Sequence, residues 1–221
     1  MRVCLVTDRV RLARRLGIAP EAALEAIVAL AGEAARAGVD LIQVREPGLE
    51  ARALLQLVRS VIAEARPAGA RIVVNDRLDV ALAAGADGVH LKASSMPPPA
   101  VRRIAPSPFL VGQSVHDLPE VHAAVEGGVD YLIFGTVFPS ASKGPDWPLA
   151  GVAGLREAVR AAAPVPVLAI GGVNPDTATL AAAVGAAGVA VIDALLPDAG
   201  SALSGRVDAL RRVFDSASGV S

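Results

Sequence analysis

Aromatic residues make up only 3% of this 221-residue chain, there is a single cysteine, and neither sign of charge prevails, the formal net charge being -1. Each scarcity excludes something. With one Trp, one Tyr and four Phe, the core cannot rest on a few large aromatic anchors and has to be assembled from many small aliphatic contacts. Cys4 has no partner for an internal disulfide, and within the apolar run Val3-Cys4-Leu5-Val6 it is expected to be a buried packing residue. A near-neutral chain presents no broad basic field, so neither nucleic acid nor anionic lipid is an expected partner. No apolar stretch reaches the roughly 20 residues of a membrane span, and the run from Ala161 to Ile170 is interrupted by Pro164 and Pro166. Only Arg2 precedes a first apolar run that ends at Thr7-Asp8-Arg9, too short for a signal peptide. The expectation is a soluble, cytoplasmic protein with no membrane attachment.

Small aliphatic side chains are what the chain has in quantity. Hydrophobic residues make up 53% of it and charged residues 19%, ample material for a large core, and this length suits one α/β domain better than two. One pattern repeats: a short β-branched apolar run, a polar cluster, then an Ala-rich amphipathic stretch. The runs Val3–Thr7, Leu41–Arg45, Ile72–Asn75, Gly88–Leu91, Phe109–Ser114, Tyr131–Val137, Val165–Gly171 and Gly188–Asp193 are expected to be strands. Helices are expected near 21–37, 49–65, 77–84, 98–104, 117–127, 151–162, 175–185 and 201–215. Continuous apolar runs with helices between them indicate parallel strands covered on their outer faces. Gly38, Gly85, Gly127-Gly128 and Gly185 follow helical stretches, where a left-handed residue closes the last turn at little steric cost. Each leads into a similar join, Gly38-Val39-Asp40, Gly85-Ala86-Asp87, Gly128-Val129-Asp130 and Gly185-Ala186-Ala187-Gly188, a weak internal repeat. Eight such units fit a single closed (β/α)8 TIM barrel over residues 1–215 with a frayed tail at 216–221. A doubly wound open sheet is the alternative.

In a closed barrel, chemistry collects on the loops that follow the strands. Asp8, Gln43, Arg45, Asn75, Asp76, His90, Lys92, Gln113, Ser114, His116, Thr136, Lys143 and Asp193 all fall there. Singly, each fits a helix cap or a solvated loop; converging from most strands, they suit a site. Gly171-Gly172-Val173-Asn174-Pro175 ends the seventh run and opens a helix. Its glycines permit close backbone approach, Asn174 can cap, Pro175 suits the first helical position, and the exposed amides form a phosphate cradle. Turns also use Gly-Gly freely. Arg45 adds a planar, permanently charged fork, with a salt bridge to Glu46 or Asp76 as its structural alternative. In Gln113-Ser114-Val115-His116, alternation puts Gln113 and Val115 on one face and Ser114 on the other, with His116 at the strand end. A histidine there can take and return a proton near neutral pH, or simply cap the next helix. Ser114, His116 and Asp117 are too close in sequence for a nucleophilic triad. No His/Cys cluster has zinc spacing, and Asp76 alone is a poor Mg²⁺ site even beside a phosphate.

These residues carry a resemblance. Gln43-Val44-Arg45-Glu46, Val73-Val74-Asn75-Asp76-Arg77-Leu78-Asp79-Val80-Ala81, Ala86-Asp87-Gly88-Val89-His90-Leu91 and Gly112-Gln113-Ser114-Val115-His116 occur in order. Asp130-Tyr131-Leu132-Ile133-Phe134-Gly135-Thr136-Val137-Phe138, Ser140-Ala141-Ser142-Lys143 and Pro166-Val167-Leu168-Ala169-Ile170-Gly171-Gly172-Val173 follow. Over nearly the whole chain they resemble the thiamine phosphate synthase and TenI (thiazole tautomerase) superfamily, barrels of thiamin biosynthesis. The resemblance implies a small phosphorylated thiazole as ligand, a possible homodimer, and one of two reactions. A synthase couples a hydroxymethylpyrimidine pyrophosphate to thiazole phosphate, releasing pyrophosphate with Mg²⁺. A tautomerase shifts a proton on carboxythiazole phosphate and needs no metal.

Departures from the synthase pattern point to the tautomerase. The Gln-x-Arg-x-Lys clamp of synthases reads Gln43-Val44-Arg45-Glu46-Pro47, without its lysine. After His90, where synthases carry a second Mg²⁺-binding aspartate, Lys92-Ala93-Ser94-Ser95 places Ser95; Asp76 matches the remaining ligand. Ser140, Ser142 and Lys143 keep a softened form of the Thr-x-Thr-Lys pyrophosphate loop, which argues for the synthase. On the leading expectation, a cofactor-free tautomerase, His116 carries the proton, and Gln43 and Arg45 meet the ligand carboxylate or orient the ring. Asn75, His90, Ser114 and the 140–143 loop line the substrate site, and Gly171 and Gly172, with amides near Ile192 and Asp193, hold the phosphate. Asp76 binds Mg²⁺ only on the synthase alternative. Asp193 stands where the family usually has serine, so it has to point away, pair with a cation, or alter binding. A non-catalytic, ligand-binding or regulatory barrel is the third possibility.

Overall fold

The alternation of β-branched runs with Ala-rich stretches resolves, in the computed structural model, into eight strands and nine α-helices among the described residues, 3–105, 107–140, 143–144, 147–197 and 200–218. The strands are β1 (Val3–Val6), β2 (Leu41–Val44), β3 (Arg71–Asn75), β4 (Gly88–Leu91), β5 (Leu110–Val115), β6 (Tyr131–Phe134), β7 (Val167–Ile170) and β8 (Gly188–Val191). All neighbours pair in parallel and in chain order, and β8 returns to β1 through Val3↔Val189, Cys4↔Ala190 and Leu5↔Val191. That ladder closes a (β/α)8 barrel and excludes the open sheet. The helices are α1 (Arg9–Leu16), α2 (Ala23–Arg36), α3 (Ala51–Ala65), α4 (Leu78–Ala84), α5 (Pro98–Ile104), α6 (Leu118–Glu126), α7 (Gly151–Ala162), α8 (Pro175–Ala183) and α9 (Leu203–Ser218).

Helix α1 was not expected from the pattern. Four of its eight residues are arginines and only Leu12 and Ala13 are buried, so it is short and has little apolar content. The signal was in its ends: Asp8 accepts from the Arg11 N–H at 3.0 Å, and Gly17 closes the helix with φ 68°. Among the described residues no helix is long and apolar enough to cross a membrane.

Alternation along the strands separates two cores. Inward side chains, among them Cys4, Val6, Leu41, Val73, Leu110, Tyr131, Ile133, Leu168 and Ala190, fill the barrel. Outward ones such as Leu5, Ile42, Val74, Val111 and Leu132 pack under the helices. Cys4 is wholly buried as expected, and burial pushes its thiol up to about 12.

The Gly-x-Asp repeat has a physical role at the N-terminal end of the barrel. Gly38, Gly85, Gly128 and Gly185 all adopt positive φ. The aspartate that follows accepts from an amide in the first two residues of the preceding strand: Asp40 from Val3 at 3.0 Å, Asp87 from Ile72 at 2.7 Å, Asp130 from Val111 at 2.6 Å. Each also pairs with an arginine, Arg211, Arg66 and Arg102 respectively. Strand ends that would otherwise leave an amide unmatched are thereby tied off. Asp87→Ala removes the acceptor of a buried strand and is expected to cost about 1–3 kcal/mol in urea unfolding. Ligand binding at the opposite rim should survive.

Candidate functional site

The centre of the barrel mouth is built by strand register. His90 of β4 pairs with Gly112 of β5, and Gly112 with Tyr131 of β6, so the three share the inward face. A Cβ on Gly112 would fall on the Tyr131 phenol, and its absence lets the histidine meet the phenol across β5. His90 Nδ1 lies 3.0 Å from Tyr131 Oη, and His90 Nε2 lies 2.9 Å from Ser114 Oγ. His90 and Tyr131 are fully buried, whereas Ser114 reaches the partly exposed rim. Burial without an ionic partner lowers the imidazole to about 3 and raises the phenol well above its usual value, so both are neutral. Asn75 stands beside His90 in register at the end of β3.

Next to this cluster lies Asp76, the one non-glycine residue with positive φ (62°) among the described residues. Its carboxylate receives the Lys92 ammonium and the Ser95 hydroxyl, and Ser95 Oγ accepts from the Lys92 N–H at 2.8 Å. Partial burial pulls the carboxyl up, but hydrogen bonds from Lys92 and Ser95 and the lysine charge outweigh it, and the group sits below its ordinary value. The donor set does not fit a metal held by the protein. Asp76 is already neutralised by a lysine, and no group of three or more His, Cys, Asp or Glu is placed to hold an ion among the described residues.

On the other side, Gln43 is buried and points inward from β2 beside Val73. Arg45 follows it, and neither suggested salt bridge forms. Glu46 is buried and accepts from the Thr7 hydroxyl at 2.5 Å and the Arg9 N–H at 3.0 Å, while Asp76 is taken by Lys92. No ion pair engages the Arg45 guanidinium among the described residues. Thr7 Oγ1 in turn accepts the Arg45 N–H at 3.0 Å, so Thr7 and Glu46 fasten the backbone that carries the fork. Burial raises the Glu46 carboxyl despite these bonds. The sequence pattern did not single out Thr7 or Glu46; a carboxylate beside an arginine looks like its partner until the strand ends are in place.

At the β7–β8 side, Gly171 (φ 99°) and Gly172 (φ 61°) are required by packing as well as by any ligand. A Cβ on the first would strike Thr136 and on the second the Pro139 carbonyl, because the chain after β6 crosses here and Phe138 N–H donates to Gly171 at 3.2 Å. Asn174 caps α8 with Pro175 in its first turn, as expected, and Thr177 completes a capping box. Asp193, following Ile192, pairs with Arg11 of α1 at 2.5 Å, which offsets its charge. Lys143 lies 3.5 Å over the Trp147 ring and its N–H donates to the Ser140 carbonyl. Ser142 lies outside the described residues. His116 is exposed and tied to the first turn of α6: its N–H donates to Glu120 at 2.8 Å and its Nδ1 lies 3.0 Å from the same carboxylate oxygen.

A closed (β/α)8 barrel whose polar side chains converge on the C-terminal mouth is the architecture of an enzyme that holds its ligand among the βα loops. The chain belongs to the thiamine monophosphate synthase family, whose pattern matches residues 16–195. It is 44% identical over 159 residues to the thiamine-phosphate synthase of Methanoregula boonei, covering 72% of this chain and 73% of that one. It is 42% identical over 182 residues to that of Moorella thermoacetica, covering 82% and 85%. Among solved structures, a thiamine phosphate pyrophosphorylase from Pyrococcus furiosus superposes with a TM-score of 0.81 at 32% identity, covering 99% of this chain and 97% of that one. These relatives overturn the tautomerase expectation, and the role it assigned to His116 goes with it. In space, the cation missing at Pro47 is accompanied by one gained at Lys92, next to Asp76.

Two measurements probe this arrangement. A buried, neutral His90 contributes stability that is fully present above its unfolded value near 6.5 and is lost as pH falls toward about 3. Unfolding free energy should drop by about 1–2 kcal/mol between about pH 6.5 and 5, and His90→Gln should lack that component in urea titrations at the two pH values. Gly172→Ala should cost about 1–3 kcal/mol from left-handed strain and overpacking and displace the 136–139 segment. Gly69→Ala, at φ 95° with open space around it, should cost only the backbone share, which differential melting would resolve.

Proposed function

We propose that the protein is a thiamine phosphate synthase, joining a hydroxymethylpyrimidine pyrophosphate to thiazole phosphate. The bond from the pyrimidine methylene to pyrophosphate oxygen breaks, a bond from that methylene to the thiazole nitrogen forms, and pyrophosphate leaves. Kinship at 42–44% identity with proteins named as thiamine-phosphate synthases carries this reading. The site offers what such a departure needs: fixed positive charge and oriented donors around an accumulating anionic charge.

Arg45, with no acidic partner among the described residues, supplies a planar fork for phosphate oxygens. Lys143, with the hydroxyls of Ser140 and Ser142, would meet the pyrophosphate; Gly171, Gly172 and the amides near Ile192 and Asp193 would cradle the thiazole phosphate. Asn75, Ser114 and Gln43 face the mouth as ring contacts. The reaction class implies Mg²⁺, yet the one matching carboxylate, Asp76, is bound by Lys92 and Ser95, so no step is assigned to a metal held by these residues.

The test is direct. Purified protein given both substrates with Mg²⁺ should release pyrophosphate and form thiamine phosphate, detected by chromatography after conversion to fluorescent thiochrome; no product would sink the reading. Arg45→Ala should lower kcat/KM by about 10- to 100-fold, the scale of one charge-assisted hydrogen bond lost, without lowering the melting temperature.

A further inference from the structure

We infer that Tyr131 is a positioning residue: its hydroxyl proton fixes the tautomer of His90, and His90 thereby forces Ser114 to donate its own proton into the barrel mouth. The ligand-selecting half of this inference rests on the proposed function; the tautomer half does not.

The argument is a count of protons along Tyr131–His90–Ser114. His90 is fully buried, its two ring nitrogens meet two hydroxyls and no carboxylate, and burial holds it neutral. It therefore carries one N–H, on Nδ1 or on Nε2. The Tyr131 phenol sits in the apolar barrel interior with Leu110, Ile133 and Leu168 and the weakly accepting Cys4 sulfur. Among the described residues the acceptor placed for its O–H is His90 Nδ1 at 3.0 Å. If Nδ1 carried the proton, the phenol would have to turn its own proton into that apolar cluster, leaving a buried donor unpaired. If Nε2 carries it, the phenol donates to Nδ1, Nε2–H donates to Ser114 Oγ at 2.9 Å, and each buried proton is matched. The imbalance favours the Nε2–H form on the order of tenfold or more. Ser114 lies at the partly exposed rim, so its remaining proton is the one that faces outward.

The hydroxyl at the mouth is thus polarised as a donor, whereas a serine with a free environment could serve either way. It selects a ligand atom that accepts: an unprotonated ring nitrogen of the pyrimidine or an oxygen of a phosphate. Gly112 is part of the device, since any side chain there would displace the phenol.

The tautomer is read in the ligand-free wild-type protein by ¹⁵N–¹H correlation of histidine side chains. The three histidines are His90, His116 and His122, and the His90 signals are assigned with the His116→Gln and His122→Gln variants. A dominant Nε2–H form is expected, and a dominant Nδ1–H form overturns the inference. Tyr131→Phe should replace the single form by a mixture; persistence of pure Nε2–H would show that Tyr131 does not set it. The coupling to Ser114 is read as a double-mutant cycle in kcat/KM, measured for each substrate in turn. Tyr131→Phe should lower kcat/KM about 3- to 10-fold for the substrate whose atom Ser114 contacts, and should have no effect in a Ser114→Ala background. An equal effect in both backgrounds overturns the relay, while thiamine phosphate formation by the wild type would still stand.

Discussion

The pairing of β8 with β1 holds everything at the mouth of this barrel in place. Once Val3, Cys4 and Leu5 are bonded to Val189, Ala190 and Val191, no strand has a free edge and every inward side chain faces its counterparts across a closed interior. That interior has to be filled with what the chain possesses, mostly small aliphatic groups, and its one tyrosine lies among them. Glycines at 88 and 112 make room where neighbours are large: a Cβ at the first would meet Leu110 and at the second Tyr131. The polar file of His90, Tyr131 and Ser114 exists because β4, β5 and β6 pair side by side in one register.

The two ends of the barrel divide the labour. At the N-terminal end, Asp40, Asp87 and Asp130 each hold an amide near the start of a neighbouring strand and an arginine. At the C-terminal end, polar groups are fastened by local bonds that leave a few functional atoms facing outward. Thr7 and Glu46 hold the backbone of Arg45, Arg11 offsets Asp193, and Lys92 with Ser95 holds Asp76. The charges at this rim are therefore mostly matched inside the protein, with Arg45 and Lys143 in no ion pair among the described residues.

The branch of the family shows where residue-by-residue comparison misleads. Pro47 and Ser95 are real departures, and they suggest a weaker site for a charged leaving group. Electrostatics is additive over space rather than along an alignment, and Lys92 and Ser95, which stand in the departing segment, both bond the Asp76 carboxylate. Relatives named for the synthase at 42–44% identity carry more weight than two substitutions at a rim.

The sequence by itself determined the eight-unit barrel, the burial of Cys4, the left-handed glycines that end the helices, the cap at Asn174 and the opposed faces of Ser114 and Val115. All of these follow from local steric preference and from periodicity over a few neighbours. It missed α1, whose eight residues include four arginines, and it placed several strand ends one to three residues late, at residues such as Thr7, Arg45 and Asp193 that continue past the ladder. Tertiary structure alone decided which charges meet. A salt bridge from Arg45 to Glu46 was only its structural alternative and does not form; of the three outcomes open to Asp193, pairing with a cation is the one that occurs, with Arg11, 182 residues away. Partners so distant along the chain are brought together only by closure of the barrel, and a pattern confined to neighbouring residues carries no trace of them.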